Sequence, residues 1–525
     1  MELLRNKTDM YTSTSQLKYT TEQLILPLDL SIRIEENDPV RSFMKVLEGV
    51  NFNKYFKKNK KGREPYNPFM MIRVVLYAYM MNKRSVRDME KACKSELQFM
   101  WLAQENQPSH QAFQRFIKNK LTVSMEDIFH DINNRLIQLD DIDTETMLVD
   151  GTALEANANK FTFIWKKVAL NTRNKTFTRL NEEVQNISNY MDGVSEKESW
   201  LIEDIIPIIA RLDVLMTNEK IEKVYGKGKR KTPIQRLYDL LVKYKDTLIS
   251  CLERIDLCGP DRNSCSKVDN DATFMHMKYD YYNHTGVFKP GYNLQIGVCD
   301  EYIMHTLVSQ ARSDATTFIP FFESYKKIRE IPKVVVADAG YGSYDNYFYC
   351  LVNKMQAYIK YTTYRMEKTK KYKKKIYNKN NFEIDEEGTY ICPQGHPFEY
   401  AYETVDKRSK YYRINETYEC KSCSACPVKA ECTKSKNNRK IILNPVLSEF
   451  QITAKEALDS DEGVELRKKR SAQTEGVFGV IKQDYGYDRI QRRGIENVRT
   501  EILLVCIGFN LNKYHNKKMR KMRLH

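Results

Sequence analysis

The chain lacks any run of about eighteen apolar residues, so no segment reads as a membrane-spanning helix. It also lacks an N-terminal charged-then-apolar leader, which points away from export and toward the cytoplasm. In that compartment the twelve cysteines stay reduced, so disulfides do not explain the close group at Cys420, Cys423, Cys426 and Cys432. Tryptophan is scarce: Trp101, Trp165 and Trp200 could each stack on a flipped base, but no pattern places one in a site.

Positive charge is abundant. Lys and Arg number 85 against 69 Asp and Glu, a net charge of +16 that suits a polyanionic partner such as nucleic acid or, equally, a lysine-rich proteome. Clustering favours the first reading: "RMEKTKKYKKK" at 365–375, "KGKRK" at 227–231 and "KYHNKKMRKMRLH" from Lys513 are basic runs able to engage phosphates. At 525 residues and 42% hydrophobic content, the chain exceeds the size at which one core stops growing, so about two to four domains are expected.

Three carboxylates stand in settings suited to divalent-cation chemistry. Asp150 closes the apolar run Met147-Leu148-Val149, and Asp338 closes Val334-Val335-Val336-Ala337 and opens a glycine turn. Glu475 lies in "QTEGVFGVIK", which reads as a helix. Oxygen ligands of this kind chelate hard cations, and paired metals activate one phosphate oxygen while stabilising another. Taken singly, a strand-end Asp is more often a turn former, and a Glu on a basic helix usually makes a solvated ion pair.

The fragments "LVDGTALEANANK", "VVVADAGYGSYDN" and "AQTEGVFGVIKQDYGYDRIQRRG" resemble the three catalytic blocks of bacterial insertion-sequence DDE transposases, most closely the insertion sequence 1182 family. "DNDATFMHMK", "KPGYNLQIGVCD", "YECKSCSACPVKAECTKS" and "REPYNPFMMIRVVLYAYMMNKRSVRDMEKAC" are similar to further blocks of the same proteins. The resemblance implies a metal-dependent enzyme in which Asp150, Asp338 and Glu475 hold two Mg²⁺ or Mn²⁺ ions. It also implies cleavage of double-stranded DNA at element ends, joining to target DNA, and a homodimer that synapses two ends, at the bacterial nucleoid. A nuclease that cuts without joining, and a catalytically silent DNA-binding derivative, are the alternatives. Related proteins carry Y-x2-R-x3-E-x6-K on the final helix. Glu475 and Lys482 fit this pattern, but Lys468 and Ser471 occupy the Tyr and Arg positions, with Arg470 one residue early. Lys482, two helical turns after Glu475, shares its face and reads equally as a DNA phosphate contact or a surface lysine. Arg470 is the other candidate DNA contact.

The order strand, hairpin, helix, strand suits an RNase H-like mixed α/β core. In the resembling family that fold sets the first and fourth strands side by side and brings Asp150 near Asp338. The expected layout is a polar segment at 1–34, a helical N-terminal domain at 35–135, and a core at 143–159 and 266–365. A helical insertion at 160–265 and a basic, Cys-rich insertion at 366–450 interrupt it. Catalytic helices at 451–512 and a basic tail at 513–525 complete the chain. The amphipathic helix "HQAFQRFIKNKL", with Arg115, Lys118 and Lys120, could enter a DNA groove, although Phe113, Phe116 and Ile117 read more readily as core.

Cys420, Cys423, Cys426 and Cys432 suit tetrahedral zinc, with Cys392 of "CPQGH" able to replace one of them. Unmetallated thiols remain open, as does an iron–sulfur cluster, although the fourth spacing departs from the ferredoxin pattern.

Overall fold

The computed structural model describes residues 30–56, 66–226, 228–277 and 287–524. Most of the polar N-terminal segment, Arg63 to Pro65, Lys227 and Lys278 therefore lie outside the described residues. Among those described, no helix is long and apolar enough to cross a membrane.

The N-terminal helices are α1 (Pro39–Leu47), α2 (Pro68–Met80), α3 (Val86–Ser95), α4 (His110–Phe116) and α5 (Thr122–Asp140). Asn67 caps α2 by accepting from Phe69 N at 2.8 Å, and Pro68 occupies a first-turn position where its missing N–H costs nothing. Beyond the first turn α2 is apolar almost all round and is buried accordingly.

A six-stranded mixed sheet forms the centre. Its strands are β1 (Thr146–Glu155), β2 (Thr273–His276), β3 (Phe288–Cys299), β4 (Tyr302–Ser309), β5 (Val334–Ala337) and β6 (Gln356–Ile359). The order is β2-β3-β1-β5-β6, with β4 also on β3. β3 runs antiparallel to β1, β2 and β4, whereas β1, β5 and β6 are mutually parallel. The expected hairpin forms at Asp300-Glu301, both at positive φ (43° and 73°), the backbone that a tight two-residue turn between twisted strands requires.

Between β1 and β2 lie α6 (Lys166–Glu182), α7 (Ile202–Asn218) and α8 (Pro233–Cys258). They bury Leu180, Trp200, Ile205, Leu212 and Leu241 in a core separate from that of the sheet. α9 (Phe318–Lys326) and α10 (Tyr344–Val352) flank the parallel strands. A three-stranded ribbon follows, β7 (Glu399–Asp406), β8 (Arg413–Cys420) and β9 (Arg439–Leu443), over a small core of Phe382, Phe398, Cys420, Cys423 and Ile441.

The chain ends in α11 (Pro445–Asp459), α12 (Asp461–Gly479) and α13 (Ile495–Leu524). α13 crosses α2 so closely that a Cβ on Gly508 would lie 2.5 Å from Tyr79 O. The N-terminal helices, the sheet and α13 thus share one continuous hydrophobic core. The basic residues from Lys513 onward continue α13 and are not a free tail. Tyr514 and His515 are buried, Ser42 Oγ lies 3.1 Å from His515 Nδ1, and Lys521 pairs with Asp140 at 2.7 Å. Burial of Tyr514 and His515 and the ion pairs of Lys517 and Lys521 with Asp140 hold this stretch, which charge content alone did not reveal.

Candidate active site

The register of β1 and β5 pairs Thr146 with Val334, Met147 with Val335 and Leu148 with Val336. The pairing ends at Leu148 and Val336; carried two residues further, the same register brings Asp150 level with Asp338, just past the end of β5. β1 is longer than β5; among the described residues its edge beyond Leu148 meets no further strand on that side, only an isolated parallel bridge from Glu155 to Arg489, and α12 lies along it.

Polar side chains on one side of α12 make that attachment. Arg470 Nε donates to Val149 O at 3.2 Å, and Nη2 lies 3.1 Å from Asp150 Oδ1. One turn later, Thr474 Oγ1 donates to Asp150 Oδ2 at 3.1 Å. A π turn, Val480–Asp484, follows the helix. Within it, Lys482 Nζ reaches Thr152 Oγ1 at 2.7 Å and Ala153 O at 3.3 Å. The adjoining side of α12 is pinned to the β3–β4 turn, where Gln473 Oε1 accepts from Glu301 N at 2.9 Å and Lys469 meets Asp300 at 3.3 Å. The two residues expected to touch DNA, Arg470 and Lys482, are therefore engaged with β1. Arg470 is only 6% exposed beside an Asp150 that is 17% exposed.

Glu475 follows Thr474 and is exposed on α12, turned about 100° from the side chain that meets Asp150. Asp338 is 51% exposed and lies 3.5 Å from Lys360 Nζ, which is 7% exposed at the end of β6. Burial alone would raise the Asp338 pKa. The Ala339 N–H and the charges of Arg470 and Lys360 outweigh it and hold the carboxyl below its usual range. Lys360 moves downward through burial, against the pull of Asp338.

Asp314, which sequence reasoning did not single out, packs against both strand ends. Its Oδ1 accepts from Asn293 Nδ2 at 2.8 Å and Gln295 Nε2 at 3.0 Å, both on β3. A Cβ on Gly151 would lie 2.9 Å from Asp314 Oδ1, and one on Gly340 would lie 3.3 Å from Oδ2. The glycines following Asp150 and Asp338 thus admit this fourth carboxylate. Tyr341 OH donates to Gln295 Oε1 and so ties the turn after Asp338 to the same cluster. Only the glycines in "VDGT" and "ADAGYG" hinted at it, since Asp314 lies on a 3₁₀ turn without periodicity.

The donor chemistry of Asp150, Asp338 and Glu475 fits a hard divalent cation, and the first two share a strand register. Among the described residues, however, no three His, Cys, Asp or Glu side chains are gathered closely enough to hold a metal ion. The same holds for the cysteines. Cys392, Cys420, Cys423, Cys426, Cys432 and His396 line one cavity of about 20 Å³ beside the β7–β9 ribbon. Cys423 Sγ accepts from Arg439 N at 3.5 Å and Cys392 Sγ from His396 N at 3.4 Å, while Arg439 Nη1 approaches Cys432 Sγ at 2.6 Å. Burial pushes the Cys420 thiol up to about 12.

No curated protein matches the chain. Residues 28–119 match the family model described as "Transposase domain (DUF772)". Residues 391–515, which include Glu475 and Lys482 but neither Asp150 nor Asp338, match the model "Transposase DDE domain". Two separate stretches, one early and one late in the chain, thus resemble transposase domains, and together they support a DDE transposase.

Proposed function

We propose that this chain is an RNase H-like DDE transposase of the insertion sequence 1182 kind. It cleaves double-stranded DNA at element ends and joins the freed 3′-OH to target DNA. The observation that carries this reading is the common register of Asp150 and Asp338 on adjacent parallel strands, beside the helix that carries Glu475. The strand order β4-β3-β1-β5-β6, antiparallel on one side of β1 and parallel on the other, supports the fold assignment.

Asp150, Asp338 and Glu475 would hold Mg²⁺ or Mn²⁺, which when bound lowers the pKa of an attacking hydroxyl and stabilises a leaving oxygen. The protein's own contribution is positional. Arg470 and Thr474 fix both oxygens of Asp150, Asp314 spaces the two strand ends, and Lys360 places a buried positive charge beside Asp338. Two copies would act together, since two ends must be held at once, and the enzyme would work at the nucleoid in the cytoplasm. The thiol group would hold one structural zinc ion, using four of Cys392, Cys420, Cys423, Cys426 and Cys432, whose thiolate chemistry suits zinc and which line one cavity although they are not drawn together here.

The test is incubation with Mg²⁺ and duplex DNA carrying the sequences that flank the coding region. Cut ends joined to a second duplex are expected. Cutting alone would indicate a nuclease, and binding alone a silent derivative.

A further inference from the structure

We propose that Lys360 is a catalytic residue whose ammonium grips a non-bridging oxygen of the phosphate to be cut. The inference rests on DNA cleavage at this site, and it names a residue outside every transposase-like block of the sequence.

Three side-chain cations stand about the ends of β1 and β5, and they differ in what they already hold. Arg470 donates to Val149 O at 3.2 Å and meets Asp150 Oδ1 at 3.1 Å. Lys482 reaches Thr152 Oγ1 at 2.7 Å and Ala153 O at 3.3 Å. Lys360 Nζ has a single acceptor among the described residues, Asp338 Oδ1, and at 3.5 Å that contact is long for a charged pair. An ammonium carries three donors, so two remain for a ligand.

Burial gives those two donors weight. The Lys360 side chain is 7% exposed, although lysine is rarely buried without full pairing, and a buried donor without an acceptor is costly. Asp338 is half exposed, so the cation lies beneath a carboxylate that faces solvent. The lysine backbone is fixed in place. Tyr347 OH on α10 donates to Ile359 O at 3.0 Å, and a Cβ on Gly342 would collide with Lys360 O. The glycine turn after Asp338 thus packs directly on the residue that carries the ammonium.

The acceptor that suits these donors is an anion with several oxygens. A phosphodiester offers non-bridging oxygens that only accept, and they carry the charge that changes as phosphorus is attacked. Asp150, Asp314, Asp338 and Glu475 border the same region and repel a phosphate, which a buried cation beside Asp338 offsets. Because Asp338 is also among the carboxylates that would hold the divalent cations, the phosphate within reach of Nζ is the one they act on.

The experiment measures binding of element-end duplexes in EDTA, where no metal-dependent step contributes. Each duplex in a series carries one neutral methylphosphonate in place of a phosphate, and the cut position is mapped separately with Mg²⁺ on unmodified DNA. Methylphosphonate at the cut position should weaken wild-type binding about tenfold. Lys360→Met and Lys360→Gln, shown to be folded by their melting curves, should bind that duplex and the unmodified one within about twofold of each other. Equal sensitivity of wild type and both variants at the cut phosphate overturns the proposal, as does a Lys360-dependent effect confined to another phosphate. A fall in affinity for every duplex alike also overturns it and makes Lys360 a tie between β6 and β5. Absence of cutting, with a Lys360-dependent effect still present at one phosphate, counts only against the cleavage reading.

Discussion

Arg470 and Asp150 form an ion pair, 3.1 Å between Nη2 and Oδ1, in which the guanidinium is almost wholly buried. The pair joins α12 to β1 at the point where β5 has ended, and so couples the helix of Glu475 to the strand of Asp150. Its two members respond differently to substitution. Arg470→Met removes the charge that faces Asp150 and the donor to Val149 O, and should destabilise the fold by about 3 kcal/mol. Asp150→Asn, which keeps one acceptor oxygen for Arg470 and turns an amide N–H toward the Thr474 hydroxyl, should cost less. Urea denaturation of both variants measures the difference.

Gly151 and Gly340 owe their identity to Asp314. A Cβ on Gly151 would lie 2.5 Å from Gln295 Nε2 and 2.9 Å from Asp314 Oδ1, whereas on Gly340 the nearest approach is 3.3 Å. Gly151→Ala should therefore destabilise by about 1–3 kcal/mol, with Gly340→Ala milder. Thermal melting ranks them, and an equal or reversed order would detach Asp314 from this spacing role.

The elements that carry Asp150, Asp338 and Glu475 were legible because they follow local rules. Apolar runs ending in Asp150 and Asp338 became parallel strands, and "QTEGVFG" became helix. What the sequence hid depends on contacts between distant segments. Arg470 stands one residue off the expected spacing, yet this places its guanidinium on Val149 O and Asp150 together. Lys360 follows a four-residue strand and carries no motif, and only the parallel pairing of β5 with β6 brings it to Asp338. Charge content suggested only a basic tail from Lys513, where burial of Tyr514 and His515 docks the helix.

That docking changes what truncation should do. Ending the chain after Asn512 removes the Ser42–His515 contact and the Lys517 and Lys521 pairs with Asp140, so the melting temperature should fall. Arg520→Ala/Arg523→Ala, on exposed positions, should leave stability unchanged and make the salt dependence of DNA binding shallower by up to about two in slope. Melting curves and salt titrations separate the two effects.

His130 and His305 stack with centroids 5.8 Å apart, and burial holds them at about 4 and about 3, against an ordinary 6.5. The unfolded chain takes up protons on both below pH 6.5, whereas the folded chain resists until about pH 4 and then 3. Their stabilising contribution is complete above pH 6.5 and is lost as pH falls through that window. Denaturation midpoints measured from pH 7 to 4.5 should decline, and the decline should shrink in His130→Phe.

The cysteine cavity should carry about one zinc per chain in protein purified without chelators. Cys423→Ser should lose the metal and loosen the β7–β9 ribbon, as read by elemental analysis and limited proteolysis. An unmetallated protein, or a brown iron chromophore, would remove the zinc assignment.

End cleavage by single carboxylate variants bears most directly on Asp150, Asp338 and Glu475 acting as one site. With Mg²⁺ and duplex element ends, Asp150→Ala, Asp338→Ala and Glu475→Gln should each abolish cutting while retaining DNA binding in gel shift. Near-wild-type cutting by any one of them would remove that residue from the site; for Glu475, exposed one position beyond the Thr474 contact, it would leave α12 as a brace for β1 alone.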